Sequence, residues 1–443
     1  MLGKWSRKLG PSRLIALSFV ILILTGTFLL CLPVSARDGN FTSPLDALFT
    51  ATSATCVTGL IVADTFTKWS LFGQIVILIL IQIGGIGLMS FISMFFIFMK
   101  RKLSLQERML LMQAAGNTQL SGMVKLVRRI VSGTFLIEGC GALLLALRFI
   151  PRMGFGQGLY YAVFHAISAF CNAGFDLMGR YEAFSSLTGY ASDVLVNITV
   201  MLLIIIGGIG FLVWDDILKC RLSFKNYSLH SKIVLVTTPV LLVGGAIGYF
   251  VFEQNYTLQG NGIGEQILKS FFASTTMRTA GFNTIDYASM SPSASLLSDV
   301  LMMIGGSPDG GMKITTITLV FLSMVSMLRG QSDTIIGKRR VSTILIKQAA
   351  VIILVYAVYI LAGTMLICHI EGLPMSNVLF EVISAVCTVG VTTGITPHLC
   401  AMSHIILIIL MYGGRIGGFT LMLILGKQNK QPLRRPKENI LIG

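Results

Sequence analysis

The chain has 443 residues, of which only 12% are charged and 54% are hydrophobic, and its mean hydropathy is +0.80. A soluble chain carries about a quarter charged residues, so a water-soluble multidomain protein is excluded. The net charge of +15 raises nucleic acid as a partner, but the placement of that charge along the chain gives it another role.

Crossing the hydrocarbon core takes a helix of ~20 apolar residues. Apolar segments of about that length or more cover 14–34, 71–99, 130–150, 194–218, 233–252, 296–326, 347–369 and 402–426. Eight crossings put both termini on one side. Basic residues cluster from Lys4 to Arg13, Lys100 to Arg129, Lys219 to Lys232, Arg329 to Lys347 and Lys427 to Lys437, which together hold 25 of the 34 Lys and Arg. If eight helices alternate, all five clusters share one face, and that face is cytoplasmic because cytoplasmic loops carry the Lys and Arg excess. The expectation is a multi-pass protein of the cell (plasma) membrane, with both termini cytoplasmic and no nucleic-acid partner. Lys4, Arg7 and Lys8 before an apolar run, with Val34-Ser35-Ala36 after it, imitate a signal peptide. The run exceeds the ~7–15 residues of a signal core, so the segment is read as a retained helix.

A repeat then organises the chain. Phe49-xxx-Ser53-Ala54-xxxx-Gly59 recurs as Phe164-xxx-Ser168-Ala169-xxxx-Gly174, as Phe271-xxx-Thr275-Thr276-xxxx-Gly281 and as Phe380-xxx-Ser384-Ala385-xxxx-Gly390. Each copy lies between two long apolar spans and is too short to cross a bilayer. Each is followed by a glycine pair: Gly84-Gly85, Gly207-Gly208, Gly305-Gly306 and Gly413-Gly414. One unit therefore reads as helix, short re-entrant helix, extended turn, helix, with re-entrant helices such as Leu45 to Thr55 and Tyr160 to Phe170. The fold class is an all-α membrane protein: eight transmembrane helices as four parallel helix–pore-helix–helix repeats around one central pore. The predicted division is 1–99 (repeat 1), 100–129 (cytoplasmic linker), 130–218 (repeat 2), 219–232 (cytoplasmic loop), 233–326 (repeat 3), 327–346 (cytoplasmic loop), 347–426 (repeat 4) and 427–443 (basic tail).

After each re-entrant helix the backbone must run outward with its carbonyls unpaired, which is tolerated at membrane depth only beside a water-filled path or inside protein. Four such turns around one axis make a ring of carbonyl oxygens, the device by which potassium filters replace an ion's hydration shell. The tripeptides are Val57-Thr58-Gly59, Asn172-Ala173-Gly174, Thr279-Ala280-Gly281 and Thr388-Val389-Gly390. Backbone atoms would do the coordinating, so the side chains are free to differ. Potassium at this filter is the one metal expected.

These stretches resemble the Trk/Ktr/HKT superfamily of potassium-translocating subunits: SATCVTGL at 53–60, CNAGFDL at 171–177, MRTAGFNT at 277–284, CTVGVTTGIT at 387–396 and GGRIGG at 413–418. With eight spans and no extra pair ahead of them, the chain looks most similar to the Ktr-type membrane subunit. The resemblance implies potassium uptake through this chain, a homodimer in the membrane, and a cytosolic ring of nucleotide-binding regulatory subunits on the basic face. It also implies sodium as a candidate activator, and Gly at position 59 goes with potassium preference.

Individual residues sharpen this reading. Lys313 and Arg415 lie deep in apolar spans, where ionisable residues are functional candidates. Gly305-Gly306-Ser307-Pro308-Asp309-Gly310-Gly311-Met312-Lys313 should break the sixth span, since proline lacks an N–H and glycine disfavours helix. In the resembling family this segment is the intramembrane loop that gates the pore, and Arg415 stands below the filter as an electrostatic barrier. Asp309 could pair with Lys313 or Arg415. Cys56, Cys171 and Cys387 share one repeat position, with Arg278 at the fourth, and are read as small packing residues. The eight Cys and five His show no metal-ligand spacing. No P-loop or dinucleotide motif occurs, so no cofactor is expected on this chain and any nucleotide control belongs to a partner. The alternative is a sodium- or proton-coupled secondary transporter of another cation, but such folds often use inverted repeats, whereas two-span repeats enter the membrane in one orientation. The spans carry no nucleophile–base pair, and the chain is not expected to be an enzyme.

Overall fold

The computed structural model describes residues 11–87, 123–306 and 310–417, except 222, 332 and 338. Helices dominate it. The first half holds α1 (Pro11–Cys31), α2 (Pro44–Cys56), α3 (Thr65–Lys68), α4 (Leu71–Ile86), α5 (Met123–Met153), α6 (Phe155–Phe170), α7 (Val194–Gly208) and α8 (Phe211–Cys220). The second half holds α9 (Leu229–Phe252), α10 (Ile263–Thr276), α11 (Pro292–Met303), α12 (Ile314–Leu328), α13 (Thr343–Glu371), α14 (Met375–Val386) and α15 (Ala401–Ile416). Helix starts follow from the sequence. Proline opens α2 and α11, where its missing N–H is no loss. The side chains of Ser70, Asp193, Ser228 and Ser291 accept backbone N–H groups at the starts of α4, α7, α9 and α11, which would otherwise be orphaned.

Among the described residues, four helices are long and apolar enough to cross a membrane: Arg13–Cys31, Leu126–Met153, Leu229–Phe252 and Thr343–Glu371. Their large apolar side chains, such as Ile21, Leu24 and Phe28 on α1 or Leu354, Val358 and Leu361 on α13, are exposed, as a lipid-facing surface requires. The protein is a membrane protein. The helices α4, α12, α14 and α15 are apolar but shorter. Segments 71–99 and 402–426 are helical to Ile86 and Ile416, and their remainders lie outside the described residues, as does the linker up to 122.

One expectation needs correction. The segment 194–218 is not one straight span: α7 ends at Gly208 and α8 leaves at 90°. Trp214 fixes the corner by donating from Nε1 to the Ile206 carbonyl at 2.9 Å, and Asp215 on α8 pairs with Arg129 at 2.7 Å. The segment 296–326 breaks where its glycines and proline predict, into two helices separated between Met303 and Ile314. Within 327–346, β1 (Ile335–Ile336) pairs antiparallel with β2 (Arg339–Arg340).

Packing follows a cycle. Each short helix, α2, α6, α10 and α14, packs on the long helix before it, α1, α5, α9 and α13. The helix after it packs on the next short helix: α4 on α6, α7 on α10, α11 on α14, and α15 back on α2. The last contact joins the end of the chain to its beginning and closes a ring of four units.

Candidate functional site

All four short helices end where the conserved spacing of the repeat places its tripeptide. Val57, Asn172, Thr279 and Thr388 take φ of 57°, 57°, 70° and 52°, and Gly59, Gly174, Gly281 and Gly390 take 98°, 69°, 80° and 89°. The middle residues are not left-handed, so the sign of φ alternates along each tripeptide. Left-handed backbone at a residue with a Cβ costs about 1–2 kcal/mol, and here it is held by hydrogen bonds. Thr58, Ala173 and Val389 donate their N–H groups to the carbonyls of Ser53, Ser168 and Ser384, each at 2.8 Å. This is the helix-ending geometry in which a donor beyond the left-handed residue reaches back to the last turn.

The serine of the repeat has a second task that spacing alone did not reveal. Ser53 Oγ accepts from the Gly59 N–H at 3.1 Å, and Ser384 Oγ accepts from the Gly390 N–H at 3.0 Å. The third unit differs. Phe49, Phe164 and Phe380 are fully buried, but Phe271 is 38% exposed and its neighbour Phe272 is buried instead. Correspondingly, Ala280 donates to the Thr276 carbonyl, four residues back rather than five, and the Thr276 hydroxyl donates to the Phe282 carbonyl at 2.7 Å. The residues that pack in this unit are therefore Phe272 and Thr276, one position beyond those that the sequence aligned.

The four tripeptides meet. A Cβ placed on Gly59 would lie 2.5 Å from the Ala173 carbonyl oxygen, one on Gly174 3.0 Å from that of Ala280, and one on Gly281 2.8 Å from that of Val389. One on Gly390 would press on the Thr58 carbonyl oxygen. Each glycine thus faces the middle carbonyl of the next unit, in cyclic order. Four helix C-termini also point here, each carrying about half a negative charge. No carboxylate lies in the twelve tripeptide residues, Val57, Thr58, Gly59, Asn172, Ala173, Gly174, Thr279, Ala280, Gly281, Thr388, Val389 and Gly390. The field at this point comes from backbone, which suits a cation whose water is to be replaced by carbonyls.

The glycine pairs explain how the bundle closes so tightly. A Cβ on Gly84, Gly207 or Gly414 would collide with the carbonyl of Thr55, Phe170 or Val386, the residue four before each tripeptide glycine. The third unit again departs from the pattern. Gly305 and Gly306 introduce the break before α12, where Gly306 lies against Arg278, a Cβ there being 2.8 Å from Arg278 Cβ. Gly310 lies against Thr388 and Gly311 against Cys387, whose carbonyl would be 3.0 Å from a Cβ at 311. The segment therefore runs beside the third and fourth tripeptides. Ser307, Pro308 and Asp309, and with them the pairing considered for Asp309, lie outside the described residues. Lys313 is exposed at the start of α12, where the break brings it to a helix end. Arg415 is 8% exposed, donates from a guanidinium N–H to the Gly84 carbonyl, and has its Cζ 5.6 Å from the centre of the Phe19 ring.

Behind the tripeptides, Cys56, Cys171 and Cys387 are buried thiols, and Arg278 at the equivalent place reaches Thr238 Oγ1 at 3.4 Å. No group of three or more potential metal ligands occurs among the described His, Cys, Asp and Glu. Glu138 and Glu381 are among the buried carboxylates that escaped the sequence reading. Glu138 accepts from Gln82 Nε2 at 3.0 and 3.1 Å, and Glu381 accepts from the Thr396 hydroxyl at 2.9 Å, the Thr393 N–H at 3.2 Å and the Thr392 hydroxyl. Glu381 thereby stitches the chain after Gly390 to α14. The run of threonines after Gly390 was its only signal.

A bundle of lipid-facing helices closed around a polar backbone cluster defines a membrane-embedded cation transport protein. Residues 12–432 match the TrkH family, described as cation transport protein, and the chain belongs to it. It is 38% identical over 448 residues to the potassium/sodium uptake protein NtpJ of Enterococcus hirae, covering 99% of this chain and 98% of that one. It is 37% identical to Ktr system potassium uptake protein B of Bacillus subtilis, with the same coverage. The crystal structure of the potassium transporter TrkH from Vibrio parahaemolyticus superposes with a TM-score of 0.71 over 92% of this chain and 84% of that one, at 16% identity.

Proposed function

We propose that this chain is the pore-forming subunit of a potassium uptake system. The observation that carries the reading is the cyclic meeting of four glycines with four middle carbonyls, flanked by four helix C-termini and free of carboxylates. Such a cage offers oxygen ligands to a dehydrated monovalent cation without binding it too tightly to leave. The relatives named for potassium uptake support potassium as that ion. In this reading the eight apolar segments are eight crossings, arranged as four parallel repeats with the boundaries given above, around one pore. Both termini and the basic loops face the cytoplasm of a cell bounded by the plasma membrane. The Ktr-system names support a multi-component assembly, here a homodimer of this chain with a cytosolic nucleotide-binding regulatory ring. The chain itself needs no cofactor and performs no catalysis.

The segment 305–313 and Arg415 form the gate. A guanidinium beneath a carbonyl cage repels cations, and a glycine-rich segment beside the third and fourth tripeptides can occupy the remaining space. Deleting 308–311, or Arg415→Ala, should raise potassium flux and reduce its dependence on the partner while selectivity persists. Growth at limiting potassium of a bacterium lacking its own uptake systems tests the function itself. The chain should restore growth, and failure to do so in cells that hold it folded in the membrane would refute the proposal.

A further inference from the structure

In the second and fourth units, which stand opposite each other in the ring, a polar residue follows the buried phenylalanine of the short helix: His165 after Phe164 on α6, and Glu381 after Phe380 on α14. Both are no more than 1% exposed. His165 Nδ1 lies 2.7 Å from the Tyr161 carbonyl oxygen. A carbonyl only accepts, so Nδ1 carries the proton and Nε2 is left as an acceptor. That nitrogen accepts from the Leu177 N–H at 3.4 Å. Glu381 accepts from the Thr393 N–H at 3.2 Å, with the Thr392 and Thr396 hydroxyls as further donors. Leu177 and Thr393 each stand three positions beyond a tripeptide glycine, Gly174 and Gly390. Two chemically unlike side chains thus accept the same backbone N–H from the same place on the helix. The chain there is neither helix nor strand, so a buried N–H must find its acceptor on a side chain or another loop. The third unit has Ala273 at that place, once its one-step shift is counted, and is held from the second unit instead. Asn283 donates to Ser186 Oγ at 3.1 Å, and its carbonyl accepts from the Leu187 N–H at 2.9 Å.

We propose that His165 and Glu381 are positioning residues for ion selection, each tying down the outer end of its own tripeptide from the helix behind it. The proposal rests on the reading of the tripeptides as an ion cage and adds what holds two of its four walls. The inner ends are already fixed, since Ala173 and Val389 donate to the Ser168 and Ser384 carbonyls. With the outer ends tied as well, the Ala173 and Val389 carbonyls cannot swing. Those carbonyls are the ones that Gly59 and Gly281 face, so a shift in either is passed to the neighbouring unit.

His165→Phe keeps a ring among Phe149, Tyr161 and Phe164 and removes the acceptor, whereas His165→Gln returns a carbonyl oxygen. Glu381→Met removes the carboxylate, and Glu381→Gln keeps one accepting oxygen. Thr396→Val, which takes away a single donor, serves if Glu381→Met does not fold. The assay is rubidium uptake by the full-length protein in liposomes, with potassium or sodium as competitor. Potassium-over-sodium preference should fall roughly three- to tenfold in His165→Phe and in Glu381→Met, the factor that one lost net hydrogen bond supports. Thr396→Val should act in the same direction, and each Gln variant should stand closer to the parent than its apolar counterpart. A merely structural residue would lower the thermal midpoint and leave the preference of the folded protein where it was. Unchanged preference in the folded apolar variants, beside a parent that selects potassium, refutes the positioning role and leaves the cage standing. Gln variants that lose as much as the apolar ones show that the acceptor is immaterial, and the proposal falls. A parent with no preference overturns the cage itself, and the proposal with it.

Discussion

Gly59→Ser places a side chain where the first and second tripeptides meet. Gly59 has φ of 98°, and its Cβ would lie 2.5 Å from the Ala173 carbonyl oxygen and 3.2 Å from Gly390 Cα. An ordinary C···O contact is roughly 3.3 Å or more, so the Ala173 carbonyl must retreat on the order of 0.8 Å or the turn must change hand. A left-handed residue bearing a Cβ costs about 1–2 kcal/mol, which the variant relieves by distorting the same carbonyl. A cage that discriminates by carbonyl placement then loses discrimination. A loss of about 1.4 kcal/mol is a factor of ten, and potassium-over-sodium preference should fall on that order. Reversal potentials, or sodium competition against rubidium uptake, measure it in protein that remains monodisperse and keeps its thermal transition. Serine at Gly174, Gly281 and Gly390 should act in the same direction, since each faces the next unit's carbonyl. Unchanged selectivity in all four folded variants would refute the assignment of these carbonyls to the ion.

Gly207→Ala should instead damage packing, because its Cβ would run into the Phe170 carbonyl. Overpacking costs roughly 1–3 kcal/mol, read as a lower thermal midpoint in detergent, and an unchanged midpoint would contradict this close contact. Ser53→Ala removes the acceptor of the Gly59 N–H and should destabilise by about 1–3 kcal/mol. Ser168→Ala should cost less, since that hydroxyl has no hydrogen-bond partner among the described residues; equal costs would show that the Ser53 bond is immaterial. Single cysteines in a Cys-free background should be labelled from outside at Asn255 to Gly264 and not at Lys100 to Lys102. External labelling of the basic loop in intact cells would overturn the proposed topology.

The short helices and their turns were legible in the sequence because the four copies share one spacing, and backbone that leaves a helix at a glycine has few ways to go. The break near Gly305 was legible from proline and glycine chemistry. What the sequence hid depends on contacts between units. Phe271 and Phe272 are equally apolar neighbours, and only the tighter step at Ala280 shows which one turns inward. The 90° corner after Gly208 was hidden because Phe211, Leu212 and Val213 continue the apolar run, while Trp214 holds the corner through the nearby Ile206 carbonyl and Asp215 through Arg129, far away in the chain. Tyr356 reads as one more apolar residue on a long span. Its hydroxyl lies against two carbonyls 45 and 58 positions away.

Rubidium uptake by the purified chain in liposomes loaded with potassium tests the central claim most directly, with external potassium or sodium as competitor. Four converging carbonyl turns predict uptake that external potassium suppresses and equal sodium leaves largely intact. Uptake suppressed equally by both ions, or no uptake by protein verified as folded and correctly inserted, would contradict a potassium-selective cage built from these tripeptides.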